Sequence, residues 1–350
     1  MKKILYFGIF DHDFSRNKVY ADGLKLHGFE VIYCIDKSRG PLKFFKLFKK
    51  TRALKGEYDV IIVGYPGYIV TPFARLFAWN KPIIFDALCS FYESQIISRD
   101  AYRGNPFRIP YVKLVDWLAT RSADYILVET EAQKEYFVQK LGVAREKAVV
   151  TYTGVDEAKF HFDQSVQKNE KFTVLFRGRI TQEAGLKYVL EAAKILERDS
   201  VDFLVVGYGW GPAKREFDEI LKNNSFSNIT FISKHVATDE LNRLMLQCHA
   251  SLGQFSDNER VERTIPHKAF EAMVLKLPYI TSRTVSVSEI ARDGENCLLT
   301  NKADARDLAE KILKLKNSSE LQKSLAENNL KTYLEHFTPK EIVNPLIKIL

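Results

Sequence analysis

The sequence predicts an α/β protein of two successive doubly wound parallel sheets facing a central cleft, and three observations lead there. Short apolar runs of strand length alternate with longer helical patterns from one end of the chain to the other. One polar interval, with Gln164, Ser165, Gln167, Lys168 and Asn169, interrupts that alternation near the middle. The 350 residues, 46% of them hydrophobic, are enough for two cores.

Before the polar interval, strands are expected at 3–9, 30–34, 60–63, 82–85, 125–128 and 148–152. Helices are expected between them at 15–27, 41–54, 68–79, 110–122 and 131–141. The second set has strands at 172–176, 202–206, 229–232, 250–253, 279–281 and 297–299. Its helices are expected at 185–197, 212–223, 238–247 and 267–275, with a final helix at 338–349. This divides the chain into 1–165, 166–335 and a terminal helix, 336–350, that packs back toward the first domain. Sheets of this kind bind ligands beyond the carboxyl ends of their strands.

Charge narrows the partners. The net charge is +8, and between Asp36 and Glu57 there are eight bases and no acid. They are Lys37, Arg39, Lys43, Lys46, Lys49, Lys50, Arg52 and Lys55, interleaved with Phe44, Phe45, Leu47 and Phe48. That pattern is a basic amphipathic helix, suited to an anionic membrane surface or to a solvated face packed on its own domain. No nucleic-acid motif accompanies it, so nucleic acid is not expected as a partner. No apolar run is long enough to span a bilayer. The basic and apolar start ends at Asp11, His12 and Asp13 without a cleavage site, so a buried strand is expected rather than a signal peptide. Cys34, Cys89, Cys248 and Cys297 form no paired motif and suit reduced residues of a cytoplasmic protein.

Several turns carry candidate chemistry. Gly8-Ile9-Phe10-Asp11 links a strand to a helix without the dinucleotide glycine pattern. Asp11 and Asp13 could ligate a metal or cap a turn, and no metal is expected. Phe176-Arg177-Gly178-Arg179 closes a strand, where glycine admits close approach and arginine can hold a phosphate by two hydrogen bonds. The most informative stretch runs from Ile265 to Met273 and on to Pro278. Pro266 suits a helix start, so the amides around His267 point outward as an anion site, with Lys268 adding charge. Glu271 lies a turn further on and can accept from the two hydroxyls of a ribose, or it can simply pair with Lys268.

Taken in order, these segments resemble the retaining glycosyltransferases of family four, which share the GT-B fold of two facing Rossmann-like domains. Ser15-Arg16-Asn17 resembles an amino-terminal motif of one branch, and Thr153-Gly154-Val155-Asp156 resembles the family's Asn-Gly-Val-Asp segment. Gly178-Arg179 resembles its donor-phosphate motif, and Pro266-x-Lys268-x-x-Glu271 the helix bearing the second glutamate of its Glu-x7-Glu motif. Ser288-Glu289-Ile290 resembles its donor-side loop. Three positions depart from the pattern: Arg263 stands where the first glutamate belongs, Ala184 where a lysine belongs, and Phe85-Asp86 where a histidine belongs.

The resemblance implies an acceptor-side first domain, a nucleotide-sugar-binding second domain, and metal-independent, retaining transfer from a nucleotide-diphosphate sugar without a cofactor. Arg179 and Lys268 would stabilise the leaving diphosphate, with Asp86 orienting a substrate. Gly8, Gly178, Arg263, Pro266, His267, Glu271 and Glu289 would contact the donor. The acceptor, a glycan or a lipid-linked or membrane-associated one, would meet Arg16, Lys43, Lys46, Lys49, Lys50 and Arg99, at the inner face of the membrane. A nucleotide-sugar epimerase, or a catalytically decayed nucleotide-sugar- or lipid-binding subunit, would need much of the same diphosphate site.

Overall fold

The computed structural model describes residues 2–98, 105–234 and 236–350. The chain forms two compact units, one of Met1–Asp156 with Phe337–Leu350 and the other of Glu157–His336.

The first unit runs β1 (Lys3–Gly8), α1 (Ser15–Leu26), β2 (Glu30–Ile35), α2 (Leu42–Ala53), β3 (Val60–Val63) and α3 (Val70–Phe77). It continues through β4 (Ile83–Leu88), α4 (Arg108–Ser122), β5 (Tyr125–Val128), α5 (Glu131–Leu141) and β6 (Ala148–Val150). Its six parallel strands lie in the order β2-β1-β3-β4-β5-β6. The β1–β2 step runs one way along the sheet and every later step the other. Right-handed crossovers therefore put α1 on one face and α2 to α5 on the opposite one. Ile61, Ile62, Ile83 and Ile126 are fully buried, each contributing about 1.5–3 kcal/mol by leaving water. Local chemistry sets the helix ends: Thr130 caps α5 by accepting from the Gln133 amide at 3.0 Å, and Gly142 stops it at φ 63°.

The second unit runs β7 (Phe172–Ile180), α6 (Leu186–Ile195), β8 (Val201–Gly209), α7 (Pro212–Asn223), β9 (Ile229–Ile232) and α8 (Thr238–Gln247). It continues through β10 (Ala250–Leu252), α9 (His267–Val274), β11 (Tyr279–Ser282), β12 (Leu298–Thr300), α10 (Ala305–Lys316) and α11 (Ser319–His336). Its sheet is again parallel, in the order β12-β11-β10-β7-β8-β9. The chain then re-enters the first unit with α12 (Pro339–Ile342) and α13 (Asn344–Ile347). These two short helices replace the single helix expected at 338–349. Pro345 has no amide to return to the carbonyl of Glu341, so one continuous helix cannot form there. α1 packs on α12 with almost no gap: a Cβ on Gly23 would stand 2.1 Å from the carbonyl oxygen of Pro339.

All four cysteines are buried and free, and burial pushes the Cys248 thiol up to about 12. Among the described residues no helix is long and apolar enough to cross a membrane.

One buried carboxylate in the first unit sets a pH dependence. Asp116 of α4 accepts from the amides of Phe91 at 2.7 Å and Tyr92 at 2.9 Å. Burial nevertheless pushes its pKa up to about 7, against those two bonds and with some help from Glu93. The folded protein therefore holds this proton more tightly than the unfolded chain. Its stabilising contribution is complete below the ordinary aspartate pKa and is lost as pH rises toward about 7. Asp116→Asn is expected to flatten that part of the stability–pH curve in urea titrations between pH 4 and 7. An unchanged slope would show that Asp116 titrates normally.

Candidate donor site in the second unit

The site grows from three neighbouring strands and one helix. β7 pairs with β10 and with β8, so the carboxyl ends of all three strands come together although β8 to β9 intervene in sequence. β7 does not stop at Phe176, as expected, but extends to Ile180, with Gly178 opposite Gly207 and Arg179 opposite Tyr208. Because residues two apart share a strand face, Arg177 and Arg179 both project on the same side.

α9 enters after Pro266, which sits at φ −70° and ψ 144° and so begins the helix without a side-chain cap. The Ala269 amide donates to the Pro266 carbonyl at 2.9 Å, and the start of the helix carries the positive end of its dipole. His267 occupies the first helical position and is half-buried. One residue further, the amine of Lys268 is enclosed: it donates to the Gly253 carbonyl at 3.2 Å and lies 3.5 Å from the centre of the Phe176 ring. Gly178 adopts φ +136°, a conformation side chains disfavour, while a Cβ there would make only ordinary contact with the Lys268 amine, at 3.8 Å. Burial, reinforced by the nearby Arg177 charge, holds the Lys268 pKa well below the ordinary lysine range.

Glu271 is 3% exposed and meets the Arg177 guanidinium with both oxygens. Nε donates to Oε2 at 2.5 Å, and Nη2 approaches Oε1. Burial draws the Arg177 pKa down to about 10, which leaves it cationic at neutral pH. The alternative, a local pairing of Glu271 with Lys268, does not form; the partner lies on β7. Arg179 points past this pair, its guanidinium 5.0 Å from the Trp210 ring and 5.8 Å from the Tyr208 ring. Those rings are about half exposed, a flat cationic and aromatic rim at the end of β8.

The loop before α9 holds the departures. Arg263 has its Nη2 3.8 Å from Glu259. Glu262, one position earlier, accepts from the Val285 amide at 2.9 Å and pairs with Lys302. Its burial opposes ionisation, but these partners prevail and hold its pKa below the ordinary glutamate value. Ala184 is buried, and the preceding Glu183 is paired with Arg260 at 2.7 Å. Glu289 lies in the turn Val287–Glu289 and is half-buried. Beside these loops opens a cavity of about 270 Å³ whose lining includes Thr181, Gln182, Lys187, Tyr188, Asp257 and Asn258.

In the first unit the candidates group differently. Gly8 ends β1 with φ +154° beside the Phe10 ring. Arg16 and Asp86, read from the sequence as an acceptor contact and a substrate-orienting group, are brought together and fully enclosed. Arg16 Nε lies 2.8 Å from Asp86 Oδ1, and Nη1 donates to the Thr151 carbonyl at 3.0 Å. Burial pushes the Asp86 pKa up while the guanidinium pulls against it. A charge in a closed interior must find a counter-charge, and each is the other's, so neither forms a solvent-facing surface. Lys43, Lys46 and Lys49 lie on α2, the last two exposed, while Lys50 donates to the Ile35 carbonyl at 2.7 Å. Arg99 lies outside the described residues. Asp11 pairs with Lys37 at 2.8 Å.

Sequence reasoning singled out Arg179 and missed Arg177 as the partner of Glu271, and it missed the Glu183–Arg260 pair. The available signal was the two-residue spacing of the arginines, which places both on one face of β7.

The sequence profile of "Glycosyl transferases group 1" matches residues 157–332, and that of "Glycosyltransferase Family 4" matches residues 11–159. Among relatives, the uncharacterized glycosyltransferase MJ1178 of Methanocaldococcus jannaschii is 27% identical over 231 residues, 66% of this chain; the chain spans 60% of that protein's length. The capsular polysaccharide biosynthesis glycosyltransferase CapM of Staphylococcus aureus is 21% identical over 290 residues, covering 78% of this chain and 72% of CapM. The crystal structure of Anabaena Alr3699/HepE in complex with UDP-glucose superposes with a TM-score of 0.73 over 100% of both chains at 16% identity, a likeness of fold. With profiles covering both units and a fold shared over its whole length, the chain belongs to the group 1 glycosyl transferases and has the GT-B fold.

Proposed function

We propose that this protein transfers a sugar from a nucleotide-diphosphate sugar to an acceptor with retention at the anomeric carbon, without a metal ion. The observation that carries the proposal is the buried Lys268 amine at the start of α9, one turn before the Arg177–Glu271 pair. A diphosphate against Lys268 and the α9 amides would place the attached ribose toward Glu271. The carboxylate keeps free lone pairs even while it accepts from Arg177, so it remains an acceptor for ribose hydroxyls. As the bond from the anomeric carbon to the diphosphate oxygen breaks, negative charge grows on the leaving group. Lys268, Arg179 and the helix amides would stabilise that charge, the task a metal ion performs elsewhere. The donor sugar would lie near the loop carrying Arg263 and Glu289. For the acceptor, the basic outer face of α2 supports one held on a membrane lipid.

A thermal-shift panel of nucleoside diphosphates and their sugars tests the donor site. A matching nucleotide at about a hundred times its Kd is expected to stabilise by about 2.7 kcal/mol. Glu271→Ala and Arg179→Ala should each lose most of the shift relative to their own ligand-free midpoint. Unchanged shifts in both would remove the basis for the assignment. Nucleotide binding with neither transfer nor hydrolysis would favour a decayed binding subunit, and isomerised donor without acceptor would favour an epimerase. Activity that survives chelator is expected, and its loss would refute the metal-free reading.

A further inference from the structure

The outer face of α4 is the least explained surface of the first unit. Its inward side buries Val112, Val115 and Ala119. Its outward side is also apolar: Phe107, just before the helix, is 85% exposed, and Tyr111, Leu114, Trp117 and Leu118 are 38–52% exposed. The positions 107, 111, 114 and 118 fall on one helical stripe. A helix apolar on both sides is normally covered on both.

α4 does not stand alone. α2 packs on α3 and α3 on α4, all on one face of the sheet. Nine of the sixteen large hydrophobic residues exposed among the described residues lie on these helices or the turns that enter them. The charges are as one-sided. The three helices carry nine Lys and Arg residues, five on α2, one on α3 and three on α4. Their one carboxylate, Asp116, is turned inward to the Phe91 and Tyr92 amides. On α4 itself, Arg108, Lys113 and Arg121 flank the stripe, with Arg121 4.6 Å from the Trp117 ring.

We propose that the outer face of α4 inserts into an anionic lipid surface, with α2 supplying the electrostatic half of the contact. Aromatic and leucine side chains between cations suit the boundary between lipid head groups and acyl chains, where tryptophan and tyrosine place their polar edges outward. Lys50 pairs with Asp36 and Arg75 with Asp124, but the helices stay rich in cations, so a self-complementary contact would set basic surface against basic surface and a second copy of the chain is the poorer occupant. The proposal extends the reading of α2 as a lipid-facing helix and is independent of the donor site.

The test is flotation with phosphatidylcholine vesicles, with and without phosphatidylglycerol, together with tryptophan emission. The intact chain should float only with the anionic vesicles and show a blue shift. Leu114→Gln/Leu118→Gln should weaken binding by about tenfold or more with an unchanged melting midpoint. Trp117→Phe should keep binding and lose most of the shift. If the double α4 variant binds as the intact chain does, while Lys46→Glu/Lys49→Glu does not bind, insertion of α4 is overturned and the charge contact of α2 stands. No flotation by the intact chain overturns both. Concentration-dependent dimerisation abolished by the α4 variant, without vesicle binding, overturns the proposal in favour of a second copy. A nucleotide thermal shift measured on the same preparations reports on the donor site separately.

Discussion

Lys268→Ala is expected to lower the rate of sugar transfer by about 10²–10³-fold, the usual cost of removing one donor to a developing oxyanion in a closed site. The melting midpoint of the ligand-free protein should not fall with it, and should rise slightly. The amine is buried, and Arg177 adds like charge to the cost of keeping it protonated. Removing it relieves that cost at the expense of function. The same environment makes diphosphate binding depend on pH. A bound diphosphate favours the ammonium form, so the complex holds a proton more tightly than the free protein does. Affinity should then fall as pH rises through the depressed Lys268 pKa. Titration calorimetry in buffers of different ionisation enthalpy should register proton uptake, and Lys268→Ala should abolish it. Full turnover in Lys268→Ala, or binding without proton uptake in the intact protein, would place the leaving diphosphate elsewhere.

The second large effect is structural. Arg177→Ala leaves the Glu271 carboxylate buried, with the guanidinium that met both its oxygens removed. Breaking such a pair costs about 3 kcal/mol here, the low end of the usual range, because the Arg177 side chain keeps 23% exposure. For a unit of this size that corresponds to a fall in melting midpoint of about 6–12 °C. Arg177→Met combined with Glu271→Leu should recover most of the loss, since both desolvation penalties leave together. Equal destabilisation of the single and double variants would mean that packing, and not the ion pair, holds this part of the unit. In either case the double variant should bind no nucleotide, which separates the fold of the site from its use.

Much of the scaffold is legible in the sequence. Alternating short and long apolar patterns mark out two six-stranded parallel sheets. Pro266 marks the start of α9 because its fixed φ suits that position. The terminal segment is less legible. Helical periodicity spans Pro345, but the missing amide breaks the helix in two. β7 was read too short because arginine and glycine look like a strand's end, whereas pairing with β8 carries it to Ile180.

The site divides along the same line. Lys268 and Glu271 are close in sequence and on one helix, so their joint appearance was foreseeable. Their partners were not. Arg177 meets Glu271 across 94 positions, and Arg16 meets Asp86 across 70. Neither pairing follows from composition or period, because strand order decides which chain segments become neighbours. The covering of α4 was equally hidden, since apolar residues on every side of a helix do not say which side the domain will bury. By itself, then, the sequence determined two parallel α/β units and a helix start carrying an amine and a carboxylate, because backbone periodicity and proline act locally. The tertiary structure alone decided that the carboxylate belongs to Arg177, that Arg16 and Asp86 close on each other, and that α4 keeps an apolar face outward. Those outcomes depend on which buried charges must neutralise one another and on which helix faces the sheet covers.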